Sequence, residues 1–286
     1  MKLALSLTQR LLLLLFIFIV CYAITALCVK IVSAVLSDNL PAYLRISAML
    51  QDVFAFIVPA VATALVVTRR PADLLMIRSR PGITVFMLVV ALLFVSIPFQ
   101  EAVIYWNYHI TLPHWAQGFE TWARQMENAA FETMKCLLGD TSVVALIVNL
   151  LIIGVAAGFS EELLFRGCLQ RLLTTGGVNR HVAVWVVAVI FSALHFQLFG
   201  FVPRMLLGAY FGYLLIWTGS LWAPVAAHVL NNMMFVLTAW LQVRNGEPVT
   251  NEPSLWHPAA IAASAALSAA VLWALWKFGR RHSDKS

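Results

Sequence analysis

Apolar stretches of about bilayer-crossing length recur along this chain, separated by short polar breaks. They cover about 11–36, 44–68, 82–104, 142–165, 181–199, 203–218, 221–241 and 258–278. Roughly 17–25 apolar residues are needed to carry a helix across about 30 Å of hydrocarbon. The pattern therefore predicts an all-α fold, a polytopic membrane helical bundle of about eight transmembrane helices. Seven is the main alternative, because the fifth to seventh stretches are closely spaced and the sixth is short. The first stretch, Leu11 to Leu36, exceeds the ~7–15-residue core of a signal peptide and reads as a retained anchor.

Composition agrees with the pattern. The 286 residues are 62% hydrophobic and 11% charged, against roughly 45–50% and about 25% in soluble domains. Lys and Arg near helix ends set orientation. Lys2 and Arg10, then Arg69, Arg70, Arg78 and Arg80, then Arg166, Arg171 and Arg180, then Lys277, Arg280, Arg281 and Lys285 all fall on one side of an eight-span arrangement. The opposite connections hold only Arg45, Arg124, Lys135, Arg204 and Arg244. The bias predicts both termini on the cytoplasmic side. It also accounts for the net charge of +6 as topology. No clustered basic reading module is present, so no nucleic-acid partner is expected. Cys21, Cys28, Cys136 and Cys168 show no CxxC spacing and read as packing residues.

No repeat or linker divides the chain, which reads as a single membrane domain over 1–286. The longest piece between spans, about 105–140, mixes Tyr105, Trp106, Tyr108, Trp115 and Trp122 with Glu120, Arg124, Glu127 and Glu132. It reads as an interfacial helix or as a plain loop. Gly154-x-x-x-Gly158 and Gly208-x-x-x-Gly212 are small-residue pairs that let helices approach closely.

Three polar sites interrupt the apolar stretches. Glu161, Glu162 and Arg166 directly follow the run Val143 to Phe159. A charge at mid-bilayer costs on the order of 2.5–3.5 kcal/mol, so such residues are functional candidates. Glu162 and Arg166 stand i, i+4 with the acid first, the favourable order for an ion pair. Glu161 points about 100° away and is left free to act as a base. His195 lies in Phe191-Ser-Ala-Leu-His195, one turn from Phe191. His228 and Asn232 are again i, i+4, while Asn231 is turned aside. Taken singly, each has a plain structural reading: a helix-end charge cluster, a packed His, an interhelical hydrogen bond. Together, one carboxylate, two imidazoles and an amide on three helices suit amide hydrolysis. Glu161 and His195 would handle the water and its proton, and His228 and Asn232 would donate to the oxyanion. Glu161, His195 and His228 also make a zinc donor set, although no HExxH is present.

Glu161-Glu162-x-x-x-Arg166, Phe191-x-x-x-His195 and His228-x-x-x-Asn232 resemble, in order, the three motifs of the CPBP (Abi) family of CAAX proteases and bacteriocin-processing enzymes, which includes the type II CAAX prenyl endopeptidases. The resemblance covers about 155–235 and implies a catalytic core over 142–241, the fourth to seventh spans. It implies an intramembrane glutamic-type endopeptidase, with Glu161 and His195 activating water, His228 and Asn232 forming the oxyanion site, and Glu162 and Arg166 supporting them. No cofactor is expected, with zinc as the second option. The implied partners are the lipid bilayer and a protein or peptide substrate, either prenylated or leader-bearing. The implied location is an integral multi-pass position in a prokaryotic cytoplasmic (inner) membrane. A proton-relaying transporter and a non-catalytic immunity protein are the competing classes.

Overall fold

The structure, a computed structural model, describes residues 5–247, 249–250 and 252–283. Lys2 and Lys285 lie outside the described residues, as do the side chains of Arg280 and Arg281. The described residues form helices and connections, with no strand among them.

Helix α1 (Leu7–Val35) starts at a capping box in which the Ser6 side chain and Gln9 exchange hydrogen bonds with each other's backbone. It buries only Leu14, Cys21 and Thr25 and turns residues such as Phe16 and Leu27 outward, as a lipid-facing helix does. Helix α2 (Leu40–Val67) contains a π-helical stretch over Gln51–Ile57. Helices α3 (Ile83–Val95) and α4 (Ile97–Tyr108) form one path bent by 52° at Ser96. Pro98 sits in the first turn of α4, where its missing N–H breaks the ladder least. The backbone groups freed by the bend are met from a third helix: Ser264 Oγ donates to Val95 O (2.5 Å) and accepts from Phe99 N (3.1 Å).

The stretch after α4 contains α5 (Gln117–Leu138), a helix with a polar face and an apolar face. The helix expected within 105–140 is thus present, filling the last two-thirds of that range. Helix α6 (Val143–Thr175) is the central element, with π-helical stretches over Leu150–Ala156 and Leu163–Gln170. Helices α7 (Arg180–Ala193), α8 (Phe201–Thr218), α9 (Trp222–Arg244) and α10 (Pro258–Ser283) follow.

The span count needs one adjustment. Among the described residues, six helices are long and apolar enough to cross a membrane, and the bent α3–α4 path makes seven. The expected fifth span, 181–199, is a 14-residue helix, about 21 Å long against about 30 Å of hydrocarbon. Helices α7 and α8 form a hairpin that enters and leaves from one face, so the parity of the topology does not depend on how deep α7 reaches. Contacts fix that face. Leu7 abuts Gly176 just past α6, Leu221 N donates to Met76 O (2.9 Å), and Gly279 lies against Trp217 O. Both described ends of the chain therefore lie on the face that carries Arg69, Arg70, Arg78 and Arg171.

The core centres on α6. Leu163, Leu164, Phe165, Cys168 and Leu172 pack against Ala60 and Ala64 of α2, Phe191 of α7 and Leu215 of α8. The glycine pairs do the intramolecular packing expected of them. A Cβ on Gly158 would stand 3.0 Å from Val229 N of α9, and one on Gly208 would stand 3.2 Å from Arg166 Nη2. These close approaches bring α8 and α9 against the polar segment of α6.

Candidate active site

Glu162 and Arg166 are fully buried, and Arg166 Nη1 donates to Glu162 Oε1 at 2.7 Å. The i, i+4 pairing read from the sequence is present. Its surroundings were not legible there. Arg166 Nη2 donates to Gly208 O (2.9 Å), which only a glycine-lined stretch of α8 lets a guanidinium reach. The Arg166 guanidinium also stands 4.6 Å from the ring centre of Phe191 and 5.4 Å from that of Phe211. A buried guanidinium is tolerable when its charge is met, and here a carboxylate, a carbonyl and two ring faces share that task, while Arg166 Nε has no partner among the described residues.

The same Glu162 Oε1 accepts from His228 Nδ1 at 2.8 Å. A carboxylate only accepts, so Nδ1 carries the hydrogen and Nε2 is the nitrogen turned to the site. Nε2 stands 3.9 Å from Glu161 Oε2. That is too long for a direct hydrogen bond and is the kind of separation one water bridges. Glu161 Oε2 is buried and has no partner among the described residues. Glu162 Oε2 is likewise without a partner, but Glu162 is tied through Oε1 to Arg166 and His228, whereas Glu161 stands only 3.9 Å from His228 Nε2. The imidazole of His228 is stacked on Phe211 at 4.8 Å between ring centres.

Asn232, one turn further along α9, donates from Nδ2 to Ile153 O at 3.1 Å. That carbonyl lies in the first π-helical stretch of α6, where the regular i to i+4 ladder is interrupted. An amide nitrogen has two hydrogens, so one donor of Asn232 remains. Asn231 turns aside, with Nδ2 at 3.4 Å from Asn232 Oδ1.

His195 lies just past the end of α7. Its Nδ1 is 2.7 Å from Phe191 O, so Nδ1 carries the hydrogen and Nε2 is left as a base. Both His195 and His228 rings lie edge-on to Phe191, at 5.0 and 5.9 Å between centres. Phe196, the next residue, has φ 55°, a left-handed conformation that costs a bulky residue about 1–2 kcal/mol. Such strain is tolerated where the surroundings over-determine it. Here the α7–α8 turn is clamped by Asn107 of α4, which donates to Leu198 O (3.1 Å) and accepts from Val202 N (2.7 Å).

Two polar residues beside this group carried no motif signal. Asp52, in the π-helical stretch of α2, is buried, and its Oδ1 accepts from Ser160 Oγ at 2.8 Å, one residue before Glu161. Arg204 of α8 acts electrostatically on both Glu161 and His195. An acidic residue in an apolar stretch was the available signal for Asp52. Arg204 stood among charges already assigned to a connection.

The zinc option rests on Glu161, His195 and His228 meeting at one point. Among the described residues, no three His, Cys, Asp or Glu side chains are grouped so as to hold a metal ion.

Comparison with known proteins then places the segment. Residues 143–234 match the family described as Type II CAAX prenyl endopeptidase Rce1-like. The likeness is to this segment of the chain. The matched range runs from the start of α6 to the middle of α9 and contains Glu161, Glu162, Arg166, His195, Arg204, His228 and Asn232. It also falls inside the 142–241 core expected from the CPBP resemblance. Among curated proteins, the uncharacterised protein YpbD of Bacillus subtilis (strain 168) is 30% identical over 93 residues, 31% of this chain. The match spans 44% of YpbD, less than half of that relative's length. No solved structure matches. The chain is an integral multi-pass membrane protein in which residues 143–234 are similar to the Rce1-like family.

Proposed function

We propose that this chain is an intramembrane endopeptidase that hydrolyses a peptide bond of a membrane-associated protein or peptide with a water activated at Glu161. One relationship carries the reading. Within an Rce1-like segment, Glu161 presents an unpartnered carboxylate oxygen 3.9 Å from His228 Nε2, and the other nitrogen of that ring is fixed by Glu162. A water held between Glu161 and His228 gives a proton to Glu161, and its oxygen adds to the substrate carbonyl carbon. The oxyanion receives the free hydrogen of Asn232 Nδ2 and, from His228 as an imidazolium, the Nε2 hydrogen. With His228 charged, the cluster of Glu161, Glu162, Arg166 and His228 is electrically balanced, which suits a buried site. Collapse breaks the C–N bond, and the leaving amine takes its proton from Glu161 by way of His195 Nε2.

The substrate class that fits is a lipid-facing peptide, either prenylated or leader-bearing, processed in a prokaryotic cytoplasmic membrane. The chemistry uses no metal. The test is cleavage of a fluorogenic S-prenylated peptide ending in a CAAX sequence, and of a leader-bearing peptide, by full-length protein in liposomes. Glu161→Gln is expected to lose about 100-fold or more, and turnover is expected to survive strong chelation. Full activity of the Glu161→Gln protein, or no cleavage of either peptide by the wild type, overturns the endopeptidase. Loss of activity on chelation, restored by zinc, overturns the metal-free chemistry.

A further inference from the structure

We propose that Arg204 is the anion-binding residue of this site and takes a carboxylate of the substrate; the proposal rests on the endopeptidase reading. Helices α6 and α8 lie side by side in constant register. Arg166 donates to Gly208 O and Gln170 donates to Gly212 O, each pair 42 residues apart. The same offset sets Arg204 about level with Glu162, one turn of α8 before Gly208 and further from the basic face.

The guanidinium is held there incompletely. Arg204 Nη2 donates to Gln197 Oε1 at 2.6 Å, a neutral partner. Arg204 Nη1 is buried and has no partner among the described residues, and Arg204 forms no ion pair among them. Glu161 of α6 and Glu127 of α5 attract it through space without bonding it. A guanidinium offers five donors in a planar fork that matches a carboxylate through two parallel bonds. Arg166 also keeps one buried donor unmet, but its charge is paired with Glu162, whereas Arg204 has both an unmet donor and no ion pair among the described residues, which is the costly combination a bound carboxylate relieves.

The turn is shaped around this group. Gly200 has no side chain where a Cβ would stand 3.1 Å from Arg204 Nη2 and 3.4 Å from Nη1, which leaves the guanidinium room at this turn. Gln197 accepts from that same Nη2 and orients the fork. The cation acts electrostatically on His195 and Glu161, and its partner Gln197 is two residues from His195, so a carboxylate bound to it is held on the His195 side of the site. That carboxylate is either the free C-terminus of the peptide or an acidic side chain near the scissile bond.

The probe is a non-cleavable reduced-amide analogue of the prenylated CAAX-type peptide. It is made as the free acid, as the C-terminal amide, and with Glu or Gln next to the last position. Binding to the full-length protein in detergent is measured for wild type, Arg204→Gln and Arg204→Lys. The wild type is expected to prefer the carboxylate form by about 10-fold or more. Arg204→Gln is expected to abolish the preference while leaving affinity for the neutral form, and Arg204→Lys is expected to keep part of it. Preference for the acid over the amide names the chain end, and preference for Glu over Gln names the side chain. Equal wild-type binding of all forms, or equal weakening of charged and neutral forms by Arg204→Gln, overturns the proposal. The wild-type comparison needs no variant to fold. A wild type that prefers the acid yet cleaves nothing overturns the endopeptidase and leaves the anion site standing. One that cleaves a CAAX-type peptide while showing no preference for acid over amide or for Glu over Gln does the reverse.

Discussion

His228 Nδ1 lies 2.8 Å from Glu162 Oε1, the same oxygen that receives Arg166 Nη1 at 2.7 Å. One carboxylate oxygen thus joins α6 to α9 and fixes which imidazole nitrogen faces the site. Glu162→Gln keeps the shape but removes the charge, leaving the Arg166 guanidinium buried and uncompensated. Breaking such a pair costs about 3–5 kcal/mol. The expected result is a clearly lowered unfolding midpoint in detergent together with lost turnover. The double variant Glu162→Gln/Arg166→Met is expected to recover part of the stability and none of the activity. A single variant with normal thermal stability contradicts this role.

Close backbone approach is what lets His228 and Asn232 reach α6. A Cβ on Gly158 would stand 2.9 Å from Val229 Cγ2 and 3.0 Å from Val229 N, so α9 has to move. Gly158→Ala is expected to lower both the unfolding midpoint and turnover. Gly118 has nothing within 4 Å of an added Cβ and lies in the first turn of α5. Gly118→Ala is expected to be neutral or stabilising by up to about 1 kcal/mol. Equal effects of the two substitutions on thermal unfolding and cleavage would show that the α6–α9 approach is not limiting.

The parts of this site legible in the sequence are those set by one helix. Glu162 and Arg166 meet because they are one turn apart, and Glu161 is free because it is a third of a turn away. The partner of His228 was not legible, because whether it faces Glu161, Glu162 or an oxyanion depends on the register of α9 against α6. Asp52 and Arg204 were missed for the same reason: each is brought in by a different helix. The 181–199 stretch was read as a full span because hydropathy runs on through Leu194 and Phe196, whereas the helix ends at Ala193 and the chain turns left-handed at Phe196. The bent α3–α4 path read as one span for the opposite reason, since both halves are apolar and Pro98 alone marks the break.

Ser160 Oγ and Asp52 Oδ1 form a buried hydrogen bond between α6 and α2. Ser160→Ala leaves the Asp52 carboxyl without that donor, and an unmet buried acceptor costs about 1–3 kcal/mol. The unfolding midpoint is expected to fall, and Asp52→Asn, which keeps an acceptor, is expected to be milder. A larger loss from Asp52→Asn than from Ser160→Ala contradicts the assignment of the hydrogen bond as the stabilising element.

Outside the spans, Glu120 accepts from Leu112 N (2.9 Å) and from Arg124 Nε and Nη2 (3.1 and 2.9 Å). The Leu112 amide first, and then Arg124, hold its carboxyl below the ordinary value of 4.5. A group depressed on folding contributes stability that is complete above its unfolded value. That contribution is lost as pH falls through the folded value. Hydrogen exchange in residues 110–124 is therefore expected to be constant from neutral pH to about pH 5 after correction for intrinsic rates, and to quicken below pH 4.5. Glu120→Gln is expected to remove this pH dependence. An unchanged acid-side acceleration in that variant assigns it to another group.

With Nδ1 held at 2.7 Å by Phe191 O, His195 can exchange a proton with substrate only through Nε2. The two amide substitutions separate the nitrogens. Asn places its amide nitrogen near the position of Nδ1 and can keep the bond to Phe191 O. Gln reaches toward the position of Nε2 and lacks a basic nitrogen. His195→Asn is expected to keep the unfolding midpoint of the wild type, because the bond that seats the α7 terminus remains. Neither amide accepts and returns a proton as imidazole does, so both variants are expected to lose about 10²–10⁴-fold in turnover. Nitrogen-15 spectra of histidine-labelled protein test the tautomer directly, with Nδ1 of His195 expected to be the protonated position. Turnover by His195→Asn near the wild-type rate would remove His195 from the proton path and leave it as a helix-terminal packing residue.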